Sequence, residues 1–139
     1  FIKHNFIKMI SSPSLLINKK KRNIKFHFDM WHGEGNLEKA INLLDVNERK
    51  DFNDFVEENV SFNPHNMFIC KSKETLKKYY ESVFPWLKRC EKEFGFEDLD
   101  SYGKKRIYGF LAERYMPYWF KKYYKTSTMP ILFHDISEL

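Results

Sequence analysis

At 139 residues, with 42% hydrophobic and 31% charged side chains, the sequence is one globular domain or a piece of one, long enough to bury a core. No apolar run approaches the roughly 18 residues needed to span a bilayer, no secretory leader pattern opens the chain, and Cys70 and Cys90 show neither disulfide-scaffold nor zinc spacing. Charge is lopsided: seven of the 24 basic residues and none of the 19 acidic ones fall within residues 1–28, so a basic arm precedes a near-neutral remainder.

The chain opens on Phe1 rather than Met and reads as a piece of a longer protein. Residues 6–17 give two short apolar runs split by a Ser-Ser-Pro-Ser turn. Lys19, Lys20, Lys21 and Arg22 then form a run suited to anionic lipid headgroups, nucleic acid or a phosphorylated substrate, the plain alternative being a solvated loop. The near-neutral remainder speaks against nucleic acid, whose binding face should also be basic. Residues 24–28, IKFHF, alternate as a strand does. Gly33 and Gly35 interrupt the chain after it. Asn36 reads as the N-cap of a helix with Leu37, Ile41 and Leu44 inward, and Asp45 with Glu48 has the spacing of a capping box for a second helix. Residues 67–70, MFIC, read as a short buried strand entered through a turn at His65 and Asn66. Ser72 caps a long helix to about residue 93, with Pro85 inside it. Gly95 to Gly103 reads as a loop, and PILF at 130–133 as a final strand. Few, separated strands among helices predict a helix-rich α/β fold with a mixed or parallel sheet fed by crossovers.

The most informative stretch is KKRIYGFLAERYMPYWFKKYYK at 104–125. It places Glu113 and Arg114 among rings, where charged groups rarely sit unless paired or used. At helical spacing Arg106, Gly109 and Glu113 share a stripe, and Pro117 cannot donate to the carbonyl of Glu113. Two readings stand side by side: a carboxylate presented to a cleft, or a buried salt bridge locking a core helix. Asn66 and His65 are candidates for holding sugar or nucleotide hydroxyls, against a plain turn role. Trp86 and Trp119 have faces that stack on sugar rings, although core packing is their commoner task. His27, Asp29 and His32 cluster without matching a zinc pattern. Five glycines leave no phosphate loop or dinucleotide fingerprint, and no Ser/His/Asp or Cys/His constellation is visible.

The blocks FHFDMWHG (26–33), NLEKAINLL (36–44), FNPHNMFICK (62–71), YYESVFPWLKRCEKEFGF (79–96), RIYGFLAERYMPYWFKKYYK (106–125) and PILFHDIS (130–137) succeed one another in a recognisable order. Their NMFI, FPWL and GFLAER motifs resemble the C-terminal half of a bacterial glycosyltransferase family of capsular and exopolysaccharide gene clusters, long catalogued only as a domain of unknown function. The resemblance covers about residues 24–137. It implies a partial A-type, single Rossmann-like domain at 24–139 that lacks the N-terminal nucleotide-binding strands and the HYRR-type segment. Residues 1–23 form a basic arm outside it. The implied activity is transfer of a sugar from a nucleotide-sugar to a glycan or lipid-linked acceptor at the cytoplasmic face of the membrane, with the basic run touching that membrane and no nucleic acid involved. A non-catalytic carbohydrate-binding or assembly module is the alternative. A divalent ion such as Mn or Mg belongs to the family's full-length domain as an implied possibility, with no ligand assigned here. On this resemblance Glu113 is the base that takes the acceptor hydroxyl's proton, and Arg114 or Arg106 stabilises the departing diphosphate. Asn66 and His65 face the acceptor, His32 helps close the cleft, and Trp86 stacks on a sugar.

Overall fold

The computed structural model describes residues 22–63, 65–96 and 102–127. Among these residues there are six helices and no strand: α1 (Ile24–His32), α2 (Asn36–Asn42), α3 (Val46–Glu58), α4 (Lys73–Phe94), α5 (Tyr102–Lys105) and α6 (Ile107–Tyr123). The expected α/β, Rossmann-like architecture is therefore overturned, because the described chain forms no sheet.

Two of the expected strands fail for different physical reasons. Residues 24–28 are the first turns of α1, capped by Asn23, whose side chain accepts from the Phe26 amide at 2.8 Å. Ile24, Phe28 and His32 form its buried stripe at i, i+4 and i+8, while Phe26 points outward. Over five residues a two-residue and a 3.6-residue period share enough apolar positions to be confused. Residues 67–70 are neither helix nor strand and have no ladder partner among the described residues. Only Phe68 enters the core, its ring 5.5 Å from Tyr79 and 4.8 Å from Phe120, while Met67 and Ile69 are exposed. The expected strand at 130–133 lies outside the described residues.

The helical expectations land close to where they were placed. Asp45 is the N-cap of α3, but its carboxylate bonds Arg89 at 3.2 Å and makes no side-chain cap. Glu48, the other half of the expected capping box, is buried instead. Asn36 is the first residue of α2 rather than its cap. Its side chain donates to the His32 carbonyl at 2.8 Å, closing the end of α1, while the Asp29 carboxylate accepts from the amides of Gly35 and Leu37 farther along the chain. Gly33 and Gly35, with φ of 99° and 77°, allow so short a corner. Ser72 caps α4 through the Thr75 amide at 3.2 Å.

The core lies where α6 crosses α4 and α3. Residues 114–120 of α6 are all buried, so this helix is enclosed on every side for two turns. Trp86 of α4 packs 4.9 Å from Tyr115 and 5.9 Å from Phe52 of α3. Its indole N–H donates to the Ala40 carbonyl at 2.7 Å, and Arg89 one turn on donates to the Leu43 carbonyl at 2.6 Å. These two bonds fasten α4 to the end of α2.

Two glycines make opposite demands. At Gly103 a methyl group would collide with the backbone oxygen of Trp31, so α5 is pressed on the end of α1, whereas at Gly109 a methyl group would meet open space in the first turn of α6. Gly103→Ala should therefore destabilise by about 1–3 kcal/mol, while Gly109→Ala should stabilise by about 0.5–1 kcal/mol. Urea unfolding of both variants checks this, and equal effects of one sign would contradict the packing described.

Candidate functional site

Burying Arg114 is the site's central problem. It lies among apolar rings: the guanidinium carbon is 4.4 Å from the Phe62 ring centre, 5.4 Å from Phe28 and 5.6 Å from Phe110. These faces supply cation–π attraction in place of water. Nη1 donates to Glu113 Oε2 at 3.0 Å and to the Phe110 carbonyl at 3.2 Å, and Nη2 lies 3.4 Å from His27 Nδ1. Nε is buried with no hydrogen bond among the described residues. Burial draws the Arg114 pKa down to about 10, with the Glu113 charge opposing the fall. The guanidinium remains charged at neutral pH and needs its one close anion.

Glu113 is that anion. Its side chain is 12% exposed, and Oε1 accepts the His65 amide at 3.2 Å. The neighbouring Asn66 donates its side-chain amide to the Gly109 carbonyl at 3.2 Å. His65 and Asn66 hold φ of 69° and 51°, a left-handed turn that wraps over the Gly109–Glu113 face of α6. The structure thus brings Glu113, Arg114, His65 and Asn66 together from segments 43 to 48 residues apart.

The other expected site residues lie elsewhere. Arg106 is exposed, bonded to the Tyr102 hydroxyl and lying 5.5 Å from the Phe110 ring. His32 is buried, stacked 4.2 Å from Phe110, with Nδ1 3.2 Å from the Gly103 carbonyl. Since a carbonyl only accepts, that nitrogen carries the proton. Trp86 is fully buried and hydrogen-bonded inside the core, which corrects its expected role as a sugar-stacking surface. Among the described residues no group of three or more His, Cys, Asp or Glu side chains is arranged to hold a metal ion.

Sequence reasoning missed a second polar cluster. Glu48 accepts from the Tyr115 hydroxyl at 2.6 Å and from Tyr123 at 3.0 Å, and Ser82 Oγ lies 2.7 Å from the Tyr115 oxygen. This ties α3, α4 and α6 through one carboxylate. Burial and the bond to Glu48 push the Tyr115 phenol far above its ordinary range. Two open grooves lie away from Glu113. One of about 680 Å³ runs along α4 past Leu76, Tyr80 and Phe84, and one of about 410 Å³ lies between α3 and α6 beside Asp51, Asn59 and Lys122.

A family model described as "Domain of unknown function (DUF4422)" matches residues 2–125. The chain belongs to this family. No curated protein and no solved structure matches it. No helix among the described residues of this DUF4422 chain is long and apolar enough to cross a membrane.

The charge arrangement can be tested in two ways. Glu113→Gln leaves a buried guanidinium without its anion and should cost about 2–3 kcal/mol, below the cost for a fully buried pair because Glu113 keeps some exposure. Adding Arg114→Met should restore at least half of the loss; additive costs in denaturant unfolding would contradict the pairing. His27 and His32 are both depressed to about 4, chiefly by burial and then by the Arg114 charge. The unfolded chain protonates these imidazoles near 6.5 and the folded chain near 4. Stability is thus full above about pH 6.5 and falls as pH drops toward 4, by up to about 3 kcal/mol per histidine and less for the partly exposed His27. Melting curves between pH 7 and 4 should lose this dependence in His27→Gln, His32→Phe.

Proposed function

We propose that this DUF4422 protein serves in bacterial surface polysaccharide synthesis as a glycosyltransferase-type protein whose helical part holds the glycan acceptor. The ordered motif blocks support the first half of that reading. The second half rests on one observation: an exposed left-handed turn, His65–Asn66, seated on the Glu113 carboxylate. A carboxylate and a neighbouring carboxamide suit vicinal sugar hydroxyls, each of which donates one hydrogen bond and accepts others. The second lone pairs of the Glu113 oxygens are the acceptors for such donors, and the Asn66 carbonyl oxygen is another.

The same geometry favours holding over proton abstraction. A general base must become neutral during turnover, and a neutral Glu113 would strand the Arg114 guanidinium among Phe28, Phe62 and Phe110. Arg114 accordingly positions Glu113 without meeting a diphosphate itself, being only 2% exposed. Arg106, exposed about two turns earlier, is the cation free of burial that would meet an anionic group from solution.

The test uses glucose-, galactose- and N-acetylglucosamine-based trisaccharides as probes, titrated by NMR shift mapping. At least one should bind in the millimolar range and perturb the His65 and Asn66 amides. Asn66→Gly keeps the left-handed backbone and removes the carboxamide; it should weaken binding about tenfold, or about 1.4 kcal/mol. Absence of binding by every probe, or binding that ignores Asn66→Gly, would sink the acceptor reading.

A further inference from the structure

We infer that the outer face of α1, together with Tyr102 of α5, is a docking surface for the headgroup region of an anionic phospholipid bilayer. In α1 the buried stripe is Ile24, Phe28 and His32. On a helix of 100° per residue Phe26 and Met30 fall diametrically opposite that stripe, where a helix facing only water carries polar groups. They are 45% and 53% exposed, and Trp31, on the flank of the helix at its C-terminal end, is 59% exposed. The close approach of Gly103 to the Trp31 carbonyl brings Tyr102, 67% exposed, to the same end of the helix.

The chemistry around these side chains selects the partner. Lys19, Lys20, Lys21 and Arg22 lead into Ile24 with only Asn23 between, and residues 1–23 hold no acid. Arg106 bonds the Tyr102 hydroxyl and lies 5.2 Å from its ring. Of the nearby acids, Glu38 and Glu57 share the single cation of Lys25 at 3.4 and 3.3 Å, Asp29 is half-buried, and Glu34 is exposed at the end of α1, so the basic run must outweigh them. Aromatic and thioether side chains flanked by cations are what an interfacial helix uses: rings settle at the headgroup level while lysines meet anionic lipid. Each basic side chain is worth little alone, so apolar insertion and charge must act together. The surface includes none of Glu113, His65 and Asn66, and its test involves no saccharide.

The experiment is co-sedimentation of the full chain with vesicles of 70% phosphatidylcholine and 30% phosphatidylglycerol, against vesicles of phosphatidylcholine alone. We expect binding to the anionic vesicles, at least tenfold weaker on the neutral ones and in 0.5 M rather than 0.1 M NaCl. Phe26→Ser, Trp31→Ser should weaken it tenfold or more with an unchanged melting temperature, since both side chains are exposed. Tryptophan emission should shift to the blue on binding in the wild type and not in the double variant, because Trp86 and Trp119 are already buried. The proposal is overturned by any of four results. These are no vesicle binding; full binding by the double variant; complete displacement by single-stranded oligonucleotide at equal salt; or a lipid-free dimer that the double variant dissolves.

Discussion

A guanidinium buried against three phenyl rings constrains this molecule more than any other contact. An unpaired cation in such surroundings costs several kcal/mol, so Arg114 dictates where its neighbours sit. Glu113, its neighbour on α6, must bring its carboxylate to the guanidinium. Phe62 and His65 must close over the pair, the one with its ring and the other with its backbone amide. His27 must stay neutral to face it, which burial enforces. Three segments distant in sequence are thus fixed by one charge. An apolar side chain of similar volume would supply packing, but it would impose none of these relations.

Directly after Arg114 in sequence comes Tyr115, and the helix turns by about 100° between them. The two side chains therefore leave α6 in different directions, Arg114 toward α1 and Tyr115 toward α3 and α4. Tyr115 delivers its hydroxyl to Glu48, which also takes the Tyr123 hydroxyl two turns later. The enclosed helix is consequently held by a polar anchor on each side, with Trp86 and Phe52 filling the apolar space against Tyr115. Hydrophobic contact alone would tolerate sliding of α6 against α4; two directional anchors fix its rotation and its register.

Much of this was legible in the sequence where a cap or a long apolar period marks a helix. Ser72 and Asp45 announced α4 and α3, and the Gly109–Glu113 stripe marked the face on which the 65–66 turn sits. What failed were the short segments. IKFHF and MFIC each offer four or five residues, too few to separate a helix or an irregular segment from a strand. Strand identity depends on a ladder partner, which is a tertiary fact that no local pattern contains. Glu48 was misplaced for a related reason. Its spacing from Asp45 satisfies a capping box, but buried phenols arriving from α6 outcompete the backbone amide for its carboxylate. Trp86 was over-read as a surface because aromatic content says nothing about which side of a helix meets water.

The short helix α1 links the buried cation to the protein's exterior. Its inner face is committed: Phe28 lies under the Arg114 cation, and His32 stacks on Phe110. Its stability as a nine-residue helix comes from that packing and from the Asn23 cap, since an isolated helix of this length is marginal in water. Nothing in the fold requires Phe26, Met30 or Trp31 to be apolar, because polar residues of equal helix propensity would leave every inner contact in place. Leaving about half of each of three large apolar side chains in water opposes solubility and adds nothing to the core. An outer face that folding does not need is explained by a surface it meets, and the basic run entering the same helix supplies that surface's sign.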